Sequence, residues 1–326
     1  MKRRIGALLI VMMLMMVTLS GCQNESGAGN QDIKIFYAAV ENVDYYQNLV
    51  NLVSEKAAES GVQVYAEYAD NSIEAQDEHV KKAVAEGYDV IMCSLVTPDT
   101  ATELKAIAGD IPIVFVNSAP DDEILGDGKY VYVASNEAVA GQYQAEYVLE
   151  KLADKEELNV VVFKGPKGHS ATLGRTSGAK KTLEASGKKI NYVFEDYADF
   201  NAAKAQELME VFLKTDVPID CVICNNDEMA LGAIAACENA NVDTSSILFL
   251  GIDASANGCV AIKDGRMAFS AYQNGKAQCE AATEVAIKLA NGESVQGIEG
   301  ATEDGKYVWI PFEKVDSSNV AQYSAE

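Results

Sequence analysis

The sequence predicts an α/β protein of two similar lobes, each a doubly wound parallel sheet between two helical layers, joined by a hinge that the chain crosses more than once. Three observations predict it. Short apolar runs alternate with longer amphipathic stretches, which is the cadence of successive βα units. That cadence runs through once and then starts again, so it describes two sheets rather than one. The about 295 residues that follow Gln31 exceed what a single core usually holds.

The chain opens with Met1-Lys2-Arg3-Arg4, and residues 5–19 then form an almost unbroken apolar run ending in Leu19-Ser20-Gly21-Cys22. A basic start, an apolar stretch short of the roughly 20 residues of a membrane span and a small-residue end read as an export signal rather than as part of the fold. The ending resembles the lipobox of bacterial lipoproteins. That resemblance implies removal of residues 1–21 and a lipid on Cys22, holding the protein at the outer face of the cell membrane. Residues 23–31 offer nothing apolar larger than alanine, so 22–31 form a flexible, lipid-anchored tether.

In the first series, strands are expected over residues 33–39, 62–68, 90–95, 113–116 and 130–134, with helices over 46–60, 73–86 and 100–108. Val62, Val64 and Ala66 alternate with Gln63, Tyr65 and Glu67, the half-exposed pattern of an edge strand. In the second series, strands are expected over 159–163, 190–194, 219–224, 247–251 and 268–272, with helices over 173–186, 201–214 and 228–240. Val160-Val161-Val162-Phe163 is apolar on both faces and belongs inside a sheet. Gly61, Gly87 and Gly187 stand where left-handed residues close helices. An amphipathic helix over 275–290 and a late strand over 307–311, which carries the single tryptophan Trp309, remain after the second series is complete. The extra helix is expected to return to the first lobe. The first lobe is therefore read as 32–134 plus 274–302, the second as 135–273 plus 303–326, and the late strand as lying near the hinge.

A formal net charge of −23 excludes a nucleic-acid binder, which needs clustered Lys and Arg for phosphates. Apart from Cys22 there are six cysteines, and they lie inside apolar runs, as small buried thiols do. Cys221 and Cys224 are three apart on one expected strand and so point to opposite faces, which rules out chelation of one metal by this pair. The acidic run Asp121-Asp122-Glu123 with Asp127 lacks calcium-loop spacing and reads as a solvated loop. No cofactor or metal is expected.

Ligands of doubly wound sheets bind at the carboxyl ends of the strands, so the residues just after each apolar run carry the information. After the first strand stand Glu41, Asn42, Asp44, Tyr45 and Tyr46, and after the fourth Asn117 and Ser118. The second series contributes His169, Ser170 and Arg175, then Tyr197 and Phe200, then Asn225-Asn226-Asp227, Asp253 and Gln273. Carboxylates, amides and a guanidinium satisfy hydroxyl groups that both donate and accept, and aromatic faces cover C–H patches, so the mixture suits a polyhydroxylated ligand.

Asn225-Asn226-Asp227-Glu228-Met229-Ala230-Leu231-Gly232-Ala233, followed by Phe249-Leu250-Gly251-Ile252-Asp253, resembles the second-lobe signature of type I periplasmic binding proteins of the ribose and galactose kind, shared with the effector domains of lac-repressor-type proteins. The resemblance extends from Asp32 to the C-terminus and includes residues 131–137 as the first crossing between lobes. It implies a solute-binding lipoprotein that closes on a sugar or related polyol, delivers it to an ABC transporter permease and works as a monomer without catalysis. By resemblance Tyr45 and Tyr46 are paired aromatics, Arg175 grips ring hydroxyls and Phe200 stacks, while Asn226, Asp253 and Gln273 complete the second lobe and hinge. Asn42 and Asp44 are both candidates for one first-lobe contact. Asn117 and Ser118 stand where ribose-type proteins carry Asp-Arg, which removes a charged clamp and with it the argument for ribose itself. Aldopentoses, aldohexoses, inositol, a furanose or a nucleoside all suit what is left.

Within the same fold the alternative is a sensing receptor for a histidine kinase or chemoreceptor. A repressor would need a basic helix-turn-helix in place of the export signal. Enzymatic chemistry finds little support, since His79 lies on a charged helix face and His169, assigned a structural place, has no evident triad partners. Gly165-Pro166-Lys167-Gly168 is likewise too short for a phosphate loop.

Overall fold

The computed structural model describes residues 33–126 and 128–323. The expected signal segment 1–21, Cys22, the tether 22–31 and Asp127 lie outside the described residues. The first series gives β1 (Lys34–Ala39), α1 (Asp44–Glu59), β2 (Gln63–Tyr68), α2 (Ile73–Ala85), β3 (Val90–Cys93), α3 (Ala101–Ala108), β4 (Ile113–Val116) and β5 (Tyr130–Ala134). The second gives α4 (Glu137–Lys151), β6 (Glu157–Lys164), α5 (Ser170–Ala185), β7 (Lys189–Tyr197), α6 (Ala202–Leu213), β8 (Cys221–Cys224), α7 (Asp227–Asn239), β9 (Leu248–Asp253), α8 (Ala256–Lys263) and β10 (Phe269–Tyr272). The chain ends through α9 (Gly275–Ala290), β11 (Tyr307–Trp309) and β12 (Glu313–Asp316).

These strands form two six-stranded sheets, ordered β11-β5-β4-β3-β1-β2 and β12-β10-β9-β8-β6-β7. All pairings are parallel except that of β12 with β10. β2 is an edge strand, as its alternation implied, and β6 lies between β8 and β7. Side chains of period two divide each sheet into two cores. In the first, Ile35, Tyr37, Met92, Val114 and Val133 meet Val53 of α1 and Val285 of α9 on one face. Phe36, Ile91, Phe115 and Tyr132 meet Val80 of α2 and Leu104 of α3 on the other. The second sheet repeats the scheme. Val161, Val222 and Phe249 pack on α6, α7 and α8, and Val160, Ile223, Leu250 and Phe269 on α4 and α5. Cys224 belongs to the first of these two cores and Cys221 to the second, so the pair does face opposite ways. All six cysteines of the described residues are buried and free. Gly61, Gly87 and Gly187 have φ of 71°, 65° and 79°, the left-handed conformation in which glycine pays no Cβ penalty.

The late strand requires a correction. Residues 303–326 are expected in the second lobe, yet β11 extends the first sheet, with Tyr307 opposite Tyr132 and Trp309 opposite Ala134. The reason is aromatic packing: the rings of Tyr307 and Trp309 stack at 4.7 Å, and both stand edge-on to Tyr132. The chain then passes between sheets after Trp309, and β12 joins β10. The expectations omitted α4, α8 and β12. α4 hides its signal because a polar Gln144 is fully buried among its core positions, donating to the carbonyls of Cys224 and Gly251 at 2.8 and 3.0 Å.

Candidate functional site

Both sheets turn the carboxyl ends of their strands toward a cavity of about 440 Å³. Tyr45, Tyr46 and Asn117 line it from the first sheet. From the second sheet and the crossings come Arg175, Phe200, Asn226, Asp253 and Gln273. Three further groups complete the wall: Glu137 and Ala171, which are not among the strand-end residues picked out of the sequence, and His169, which is among them but is expected in a structural place. Glu137 obeys the same strand-end rule that points to His169 and the others. Glu137 follows β5 by three residues, and His169 lies in the loop after β6.

Arg175 is the centre of the polar wall. It sits on α5 and is 4% exposed, and the glycines of the facing helices put it there. A Cβ on Gly141 would lie 1.9 Å from the Arg175 carbonyl oxygen, and one on Gly178 would lie 2.0 Å from that of Ala138. Only bare backbone lets α4 and α5 touch so closely, and the contact sets Glu137 beside the guanidinium. Arg175 Nε donates to Glu137 Oε2 at 2.6 Å, Nη1 to the Asn225 carbonyl at 2.7 Å and Nη2 to Gln273 Oε1 at 3.0 Å. Nη1 is also 3.6 Å from Asp253 Oδ1. Burial works against the guanidinium charge, but Glu137 and Asp253 outweigh it and hold the group more firmly protonated than usual.

Asp253 faces the cavity with 39% of its side chain exposed there, yet protein walls it in. That enclosure pushes its carboxyl up to about 6; Arg175 opposes the shift and Glu137 adds to it. His169 moves the other way, lowered by burial and then by Arg175, so it is a neutral imidazole near pH 7. Its Nδ1 accepts from the Ala171 N–H at 3.2 Å, capping α5, and its ring stands edge-on to Phe200 at 5.6 Å.

The aromatic walls are held as firmly. Phe200 and Asp199 both have positive φ, at 57° and 53°, a conformation rare for L-residues that swings the Phe200 ring over Gly165. Across the cavity the Tyr45 and Tyr46 rings meet edge-on at 5.1 Å. The Tyr45 hydroxyl donates to Asn117 Oδ1 at 2.8 Å, and Asn117 Nδ2 donates to the Tyr46 hydroxyl at 3.4 Å. Asn117 and Asp253 also have positive φ, at 67° and 112°. Strained backbone thus gathers at this cavity, as it does where surrounding structure dictates a side-chain position.

Asn226 caps α7, its Oδ1 accepting from Met229 N at 3.0 Å, and it lines the cavity as well, so capping and site residue are not alternatives here. Three expected residues stand elsewhere. Asn42 is exposed, its Oδ1 taken by Gln47 at 2.7 Å, and Asp44 is exposed in the first turn of α1, where a negative charge favours the helix. Ser118 is buried behind the wall; next to it the Ala119 N–H donates to Ser170 Oγ at 3.3 Å, a direct contact between the two lobes. The acidic run is engaged by its own surroundings: Asp122 accepts from Lys306 Nζ at 2.6 Å and from the Tyr307 hydroxyl at 2.7 Å.

The chain matches the periplasmic binding protein domain over residues 33–294. It is 31% identical over 269 residues to the putative rhizopine-binding protein of Rhizobium meliloti, an alignment covering 82% of this chain and 84% of that one. Over 300 residues it is 26% identical to the ribose import binding protein of Bacillus subtilis, covering 89% and 95% of the two chains. Among solved structures it aligns with a TM-score of 0.78 and 28% identity to an ABC transporter solute-binding protein from Bacillus halodurans with bound myo-inositol, covering 92% of this chain and 99% of that one.

Proposed function

This chain belongs to the periplasmic binding protein domain family, and we propose that it is an extracytoplasmic receptor that closes its two lobes over a monosaccharide or related polyol and passes it unchanged to an ABC permease. The observation that carries this reading is the cavity itself. Asp253 and Gln273 offer acceptors, Arg175, Asn117 and Asn226 offer donors, and Tyr45, Tyr46 and Phe200 offer ring faces. Such a set matches the alternation of hydroxyl and C–H surface on a sugar or cyclitol. The groups also come from both lobes, so a ligand touching all of them gains contacts only when the lobes close, which is the differential affinity that closure requires.

Binding without turnover is supported by how the polar groups are used. The His169 Nδ1 lone pair is committed to a helix cap, and the Ser170 hydroxyl faces the Ala119 amide instead of a base. Cys22 would hold the mature protein at the membrane surface through a lipid, with residues 23–31 as the tether, as a monomer. Metabolic labelling with a radioactive fatty acid should mark the wild type and leave Cys22→Ser unlabelled and released; label on the Ser variant would remove the anchor from the account.

A thermal-shift screen against neutral pentoses, hexoses, inositols and nucleosides tests the ligand class. Ligand at a thousandfold excess over its Kd stabilises by about 4 kcal/mol, a readily measured shift. At least one polyol should raise the melting temperature, and a panel in which only nucleosides, or nothing, did so would end the polyol reading.

A further inference from the structure

We propose that Asp227, which does not line the cavity, is a positioning residue that fixes the turn carrying Asp253 and thereby places the Asp253 carboxylate in the cleft. The inference rests on reading Asp253 as a ligand contact.

Asp227 is the first residue of α7 and is fully buried. A carboxylate there would ordinarily be read as serving its own helix, but the cap of α7 is already supplied by Asn226, which accepts from Met229 N. Both Asp227 oxygens instead reach out of the helix to the β9–α8 turn and to β10. Oδ2 accepts from the Ser255 N–H at 2.7 Å. Oδ1 accepts from the Ser270 hydroxyl at 2.7 Å, and that hydroxyl oxygen in turn accepts from the Ala254 N–H at 2.9 Å. One buried carboxyl therefore captures two consecutive backbone amides, one directly and one through Ser270.

The two captured amides each follow directly on a strained residue. Asp253 has φ 112° and Ala254 φ 48°, a pair of conformations that L-residues avoid and keep only when their surroundings impose them. Two glycines make room for the group that does so. A Cβ on Gly251 would lie 2.1 Å from Asp227 Oδ1, and one on Gly258 would lie 2.2 Å from Oδ2. β9 and α8 are thus shaped around this side chain, and the turn between them delivers Asp253 to within 3.6 Å of Arg175 Nη1.

The test combines backbone exchange with a double-mutant cycle on the full mature chain. In Asp227→Asn, hydrogen–deuterium exchange at the Ala254 and Ser255 amides should accelerate at least tenfold while amides within α7 keep their protection. Ser270→Ala, which keeps the Ser255 bond, should accelerate Ala254 and leave Ser255 slow, and it serves should Asp227→Asn fail to fold. Calorimetric titration with myo-inositol, D-ribose and D-galactose as probes should show D227N weakening binding about tenfold in the wild-type background and adding no further loss in the D253N background. Unchanged exchange at residues 254 and 255, or losses from D227N and D253N that multiply, would overturn the proposal. D253N binding every probe as well as the wild type would instead sink Asp253 as a ligand contact, and the exchange result would still decide whether Asp227 holds the turn.

Discussion

Replacing Arg175 by Met tests the polar wall and the stability of the lobe in one protein. The Arg175 side chain is 5% exposed and that of Glu137, its closest partner at 2.6 Å, only 10%. Met keeps most of the length and removes the charge, leaving Glu137 and Asp253 as two enclosed carboxylates without a cation. Removing one member of a buried pair costs about 3–5 kcal/mol, because the survivor keeps its desolvation penalty and loses its compensation. For a chain of this size that is a fall in Tm on the order of 10 °C. Arg175→Met with Glu137→Gln, which neutralises the more buried of the two carboxylates, should restore most of the lost stability, since a buried pair and a neutral replacement of similar volume are close in energy. Affinity should not return. Loss of a buried charged partner in a binding site costs about 2–5 kcal/mol, so the bound polyol should be held on the order of a hundredfold more weakly in both variants. Scanning calorimetry and isothermal titration on the wild type and the single and double variants supply the numbers. A double variant no more stable than R175M, or an R175M protein that binds as the wild type does, would refute the reasoning.

Other consequences follow from the same geometry. Gly178→Ala puts a Cβ 2.0 Å from the Ala138 carbonyl oxygen and must part α4 from α5; a stability loss of about 1–3 kcal/mol is expected, with weakened binding as Glu137 and Arg175 separate, and chemical denaturation with titration reads both. Because enclosure raises Asp253 to about 6, the charged acceptor is present above that pH and is lost as pH falls through it. Affinity should therefore be flat from pH 7 to 8 and decline toward pH 5, whereas Asp253→Asn should show no such decline. Trp309 lines a gap behind the hinge with Ile310, Phe312 and, on α4, Val139 and Tyr143. As the only tryptophan it should change emission when ligand closes the lobes, and Trp309→Phe should silence the signal; constant emission at saturation would argue against rotation at this crossing.

Most of the fold was legible because two-faced strands and amphipathic helices write their period directly into the chain. The edge position of β2 followed from three residues, Val62, Val64 and Ala66. What was not legible depended on long-range pairing. The attachment of β11 to the first sheet rests on Tyr307 and Trp309 meeting Tyr132, about 175 residues away in sequence, which no local pattern encodes. The same divide runs through the site. Eight of the eleven expected ligand-site residues line the cavity, since strand ends of a parallel sheet converge wherever the loops lead. Asp44 falls outside because α1 begins there rather than near Tyr46, which puts it on the exposed first turn, and Asn42, in the bend before that helix, is exposed with its amide oxygen accepting from Gln47. Glu137 went unassigned because its importance lies in Arg175, brought alongside by Gly141 and Gly178 from two helices whose contact the sequence does not announce.

On the proposed function, one polyol molecule is held between the lobes and released unchanged. Isothermal titration of the purified mature chain with the best polyol of the thermal screen, followed by recovery and mass analysis of the ligand, tests it most directly. One saturable site per chain, with all ligand recovered intact, is the predicted result; conversion of the ligand, or the absence of saturable binding by any polyol, would contradict it.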